Sequence, residues 1–255
     1  MIFTSYNLPF RVTHSDLAIM SGQPVSIRIR TAVADDAELV TNAMRLFNLV
    51  AGTGSFGSEY LAPWGTMFSI NAYPSNGGCD FLFNVDPCRI ASEAWVVLCH
   101  LLLKVHQSVD ITAVEILVSG DISPLILKES DMSTYPGAFA HLPFVLDDLQ
   151  PEGGSYSFFI TLVSPLTAEN EDTLNRWLNI WTQAILHGGY ALAPFDPASD
   201  YVEPYGLCID TYDTIIEWAV FKLRADPVAA INALVNLFAC FHVRCQPFRT
   251  VEIGG

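Results

Sequence analysis

Positive charge is scarce in this chain. Its 255 residues hold 12 Lys and Arg against 27 Asp and Glu, a formal net charge of −15. A general nucleic-acid binder needs a basic footprint, and so does a protein that settles on an anionic membrane. Neither partner is expected here. The scarcity is also local. Between residues 121 and 217, fifteen acids face only Lys128 and Arg176, and from Trp177 through Phe221 there is no Lys or Arg. Such a field suits a basic protein partner, and it also serves plain solubility.

Membrane and secretory signals are missing too. No stretch is expected to supply the ~18 apolar residues of a membrane span. The greasiest helical segment is interrupted by Glu93, His100 and Lys104. Met1 to Pro9 lacks both the basic n-region and the apolar run of a secretory leader. The six cysteines (Cys79, Cys88, Cys99, Cys208, Cys240, Cys245) include no C-x-x-C pair. Cys88, Cys99 and Cys240 fall in apolar helical patterns, where a thiol acts as a small hydrophobe. Reduced cysteines in a cytoplasmic protein are the expectation.

What is present is enough for a large core, because 51% of the chain is apolar and only 15% charged. The pattern also repeats. Asp86-Pro87 opens one apolar helix and Asp226-Pro227 another, each with the N-cap acid and first-turn proline that favour helix starts. The first helix leads to a strand with Val114-Glu115-Ile116, the second to one with Val251-Glu252-Ile253. Each is preceded by a strand, a helix and a strand pair. Val25 to Val33 alternates as a half-buried strand, and residues 39–50 carry a broad apolar stripe. Thr66 to Tyr73 and Cys79 to Val85 flank Pro74-Ser75-Asn76-Gly77-Gly78, a hairpin signal. Later, Tyr156 to Val163, a helix carrying Trp177 and Trp181, Tyr205 to Ile209 and Ile215 to Leu223 repeat the order.

The fold expected is therefore α+β, a tandem duplication of ferredoxin-like (βαββαβ) units, with antiparallel sheets and helices on one face. The units expected are 1–120 (with an N-terminal extension) and 156–255, joined by a connecting segment, 121–155, in one body. The sister unit is the expected cover for each sheet's free face.

Chemical motifs are weak. Gly52-Thr53-Gly54-Ser55-Phe56-Gly57 spells G-x-G-x-x-G but follows a helix C-terminus, the wrong end of the dipole for a phosphate. Cys99, His100 and His106 share no helix face at ligand spacing. His242 with Cys245 is a lone pair, and Asp110 lies past a helix end. Ser55 and Ser119-Gly120-Asp121 lack a nucleophile-elbow context, and Cys79 has no evident base. No catalytic residue, cofactor or metal is expected.

One stretch carries the functional expectation. Phe195, Asp196, Asp200, Tyr201, Glu203, Tyr205, Asp210, Tyr212 and Asp213, followed by Glu217 and Trp218, interleave acids with aromatics. Aromatic anchors supply desolvated contact area, while acids steer encounter and set specificity. A solvated loop is the plain alternative. The function expected is a non-catalytic inhibitor that binds a basic protein, for example an immunity protein neutralising a nuclease-like toxin, as a monomer or homodimer. An enzyme with its site between the repeats, and a structural subunit of a bacterial or phage assembly, are the alternatives.

Overall fold

The computed structural model describes residues 10–14, 25–32, 37–57, 69–75, 78–85, 94–118, 125–126, 141–148, 154–191, 201–210, 212 and 214–254. The first half runs β1 (Arg11–His14), β2 (Val25–Thr31), α1 (Ala37–Gly52), β3 (Ser69–Ser75), β4 (Gly78–Val85), α2 (Ala94–His106), β5 (Ile111–Val118) and β6 (Leu125–Ile126). The second runs β7 (Val145–Asp148), β8 (Tyr156–Leu162), α3 (Ala168–Leu186), β9 (Tyr201–Pro204), β10 (Cys208–Ile209), β11 (Ile215–Arg224), α4 (Pro227–Arg244) and β12 (Phe248–Gly254). The structure is mixed α+β. One sheet has the order β3-β4-β2-β5-β1-β6; the other has β10-β11-β8-β12-β7, with β9 also on β11.

Local chemistry explains the elements. In β2, Ile27 and Ile29 are buried while Arg28 and Arg30 face away, the period-two signature of a half-buried strand. Thr167 caps α3, its hydroxyl accepting from Asn170 N–H at 3.2 Å. Asp226 caps α4, accepting from Ala229 N–H at 3.0 Å with Pro227 at the first helical position. Gly54 (φ +78°) and Gly188 (φ +79°) turn the chain out of α1 and α3 in the left-handed region that glycine tolerates. By length and composition α4 can cross a membrane, contrary to expectation, with a mean hydropathy of 1.3. Yet 61% of it is buried, because it is the central helix of the second half and packs on nearly every side.

The two sheets share details beyond strand order. β1 runs parallel to β5 and β7 runs parallel to β12, so each half carries an extra strand at the same place. The β2–β5 ladder slips between Arg30 and Thr31, and the β12–β8 ladder slips between Phe248 and Thr250. These slips place Thr112 and Arg249 at corresponding bulges, three residues before Glu115 and Glu252. His106 Nδ1 accepts from Ile111 N–H (3.1 Å), tying α2 to the start of β5. His242 Nδ1 accepts from Phe248 N–H (2.9 Å), tying α4 to the start of β12. Each imidazole also meets a phenylalanine just before the extra strand, Phe10 at 5.7 Å and Phe144 at 6.0 Å between ring centres.

Several expectations need revision. The helices of the two halves pack against one another between the sheets, so the sister half covers the helical side and not the free sheet face. Asn236 Nδ2 donates to Ser55 O (3.2 Å), and Arg244 Nη1 donates to Gly52 O (3.2 Å) while its guanidinium lies over the Trp177 ring at 5.4 Å. Residues 125–126 and 145–148, expected within a connection, are sheet strands. Tyr205 to Ile209 is not one strand. β9 ends at Pro204 and β10 spans only Cys208–Ile209, so residues 205–207 lie between two short strands on β11, and Lys222 (φ 55°) marks a bulge in β11 within its pairing to β9. Val228, in the first turn of α4, is apolar yet exposed. Asp86, with its expected cap, and the Trp95 side chain lie outside the described residues.

Candidate protein-binding face

In each half the sheet turns one face toward the helices and the other outward. On the outer face of the first sheet, one row across the strands is Leu82, Arg28 and Glu115. Arg28 Nη1 meets Glu115 Oε2 at 3.0 Å. The adjacent row is Asp80, Arg30 and Ala113, and Arg30 binds Asp80 through two hydrogen bonds of 2.8 and 3.2 Å. This face neutralises its own acids.

The corresponding rows of the second sheet do not. Glu217 stands opposite Phe159, Phe159 opposite Glu252, and Glu252 beside Asp147. Phe159 thus occupies the place of Arg28, and Glu252 that of Glu115. Among the described residues none of Glu217, Glu252 and Asp147 is in an ion pair. The next row is Ile215, Thr161, Thr250 and Val145, where the first sheet has Asp80, Arg30 and Ala113 in the first three places. Phe159 is 40% exposed and Val145 64% exposed, and Ile215 and Phe221 are exposed as well. The face therefore combines unpaired acids with open apolar groups. Neighbouring strands lie about 4.8 Å apart, so Glu252 and Asp147 are close like charges with no base between them, a destabilising arrangement that a cation relieves.

The acidic aromatic stretch adds part of the rim. Tyr205 is exposed and packs edge-on against Phe221, with ring centres 6.2 Å apart, and Tyr212 is 77% exposed. Glu203 is bound by Lys222 (3.1 Å), one residue beyond the stretch without bases. Asp210 accepts from Thr214 N–H (2.7 Å) and Ile215 N–H (2.8 Å), which holds its carboxyl below the usual range and makes it the cap of the turn into β11. Trp218 points inward against Phe158 and Trp181 and is no surface anchor. The Tyr201 side chain and all of Phe195, Asp196, Asp200 and Asp213 lie outside the described residues. Phe159, Glu252 and Asp147 were not expected at the site. Strand alternation points Phe159 and Glu252 outward, but only the register aligns them with Glu217.

The other chemical candidates are structural. Thr53 and Ser55 are buried, their hydroxyls 2.7 Å apart, in a loop pressed against α4; a Cβ on Gly54 would sit 2.6 Å from Cys240 Cβ. At this point the junction between the halves is close-packed. Burial lowers the His100 imidazole to about 3, raises the Cys99 thiol to about 12 and raises the Tyr190 phenol. All three are neutral at pH 7. His106 and His242 hold strands through Nδ1, and burial lowers the pKa of His242. Cys79 is buried; Cys99, Cys208, Cys240 and Cys245 carry no disulfide. Ser119, Gly120, Asp121 and Cys88 lie outside the described residues. Among the described residues, no three His, Cys, Asp or Glu are grouped to hold a metal.

No family model and no curated protein matches the chain. Two solved structures are distantly similar. The periplasmic protease PqqL from Escherichia coli is 9% identical, with a TM-score of 0.21; the match covers 88% of this chain, which spans 34% of that protein. A Cas6 product complex is 14% identical, with a TM-score of 0.22 and coverage of 90% and 99%. Likeness at this level carries nothing about fold or activity.

Proposed function

We propose that the chain is a tandem pair of ferredoxin-like units whose second unit binds a basic protein without catalysis. The shared strand order, the extra parallel strand, the corresponding bulges and the paired His–Phe contacts support a duplication. One observation carries the binding role. The position that holds Arg28 against Glu115 in the first sheet holds Phe159 beside Glu252 in the second. The second sheet thereby gains an exposed aromatic ring and loses the base that would neutralise its acids. A basic partner supplies the missing charge, and Phe159 offers it an apolar anchor. Neutralising a basic toxin such as a nuclease in the cytoplasm is one concrete form of this role.

The test begins with the protein that co-purifies from the native host. Phe159→Arg restores the first-sheet arrangement and is expected to weaken that partner's binding by about tenfold or more, with association slowed. Phe159→Ala is expected to speed dissociation instead. Unchanged kinetics in both folded variants contradict the reading.

A further inference from the structure

The extra strands β1 and β7 occupy matching places, yet their outer edges differ. The edge of β1 is taken by β6, which runs antiparallel to it with Thr13 opposite Ile126 and His14 opposite Leu125. The edge of β7 carries no strand among the described residues. An open edge presents unpaired N–H and C=O groups and is a template for another chain. On β7 that template is short, and Asp147 and Val145 stand exposed on its outer face.

A second copy of β7 is a poor occupant, because it would add another Asp147 and no base to the unpaired acids of this face. An extended segment with Lys or Arg at alternate positions meets no such barrier. Its charged side chains would continue the row of Glu217, Phe159, Glu252 and Asp147, while its backbone completes the sheet.

We propose that β7 takes an extended, Lys- or Arg-bearing segment of the protein partner by antiparallel strand addition, in the place β6 fills in the first half. The inference rests on the basic-partner reading and adds the seat and mode of binding.

The probe is a capped heptapeptide of alternating Lys and Val, added to the full chain at low ionic strength. Two controls keep its length: one has every backbone amide N-methylated, and the other has Glu in place of Lys. Strand addition slows hydrogen exchange at the outward-facing amides of Val145–Asp148 by about tenfold or more and makes the N-methylated peptide bind at least about tenfold more weakly. If the N-methylated peptide binds as well as its parent, or the β7 amides are unprotected, strand addition is wrong while the basic-partner reading stands. If the Lys peptide binds no better than the Glu peptide, both are wrong. A dimer of the free chain that already protects these amides would make the occupant a second copy and overturn the proposal.

Discussion

Asp226 shows how one side chain secures an element. Its carboxylate accepts from Ala229 N–H while its own N–H donates to Tyr190 O at 2.7 Å, joining the α4 start to the loop after α3. Asp226→Ala is expected to lower stability by about 0.5–2 kcal/mol, and Asp226→Ser by much less, read as urea midpoints. His100 gives the pH dependence. Its folded pKa of about 3 lies below the unfolded 6.5, so the unfolded chain takes the proton first. Its contribution is complete above pH 6.5 and is lost as pH falls from there toward 3. His242 acts with the same sign. Urea midpoints measured downward from pH 7 should fall, and His100→Asn should flatten the slope whatever its overall stability. An identical slope in that variant would remove His100 from the linkage.

Among the elements, the loop after α1 is a close-packed joint between the halves. Gly54→Ala adds a methyl 2.6 Å from Cys240 Cβ at a positive φ, so it should destabilise by more than ~1 kcal/mol. Gly52→Ala, two residues away, meets nothing within 4 Å at the end of α1 and should be neutral or mildly stabilising in the same denaturation assay. Such positions separate what was legible in the sequence from what was not. Strands β2, β4, β8 and β12 and helices α1, α3 and α4 were visible, because alternation, caps and glycine stops are local signals. Strands β1, β6 and β7 were not. They are two to four residues long and exist because of partners far along the chain, such as Thr250 opposite Val145. The outer row of Glu217, Phe159, Glu252 and Asp147 was half legible for the same reason. Alternation sets which way Phe159 and Glu252 point, but a one-residue slip would send each to the core.

At the scale of the whole molecule, the described residues form one apolar core across both halves, with four helices between two sheets. The tryptophan signal, which includes Trp177, Trp181 and Trp218 of the second half, should therefore report the same unfolding transition as hydrogen exchange in β2 and β4 of the first. Separate transitions would mean that the junction at Gly54, Asn236 and Arg244 is weak. The outward faces differ, one internally neutralised and one open. The most direct test is the affinity of the native-host partner for two triple variants that remove equal charge. Asp147→Asn, Glu217→Gln and Glu252→Gln together should weaken binding by about tenfold or more. Glu169→Gln, Glu171→Gln and Asp172→Asn on α3 should change it by less than about threefold, because surface charges beyond a Debye length of ~8 Å are screened. Equal losses in the two variants, or none in the first, would contradict a binding site on the second sheet.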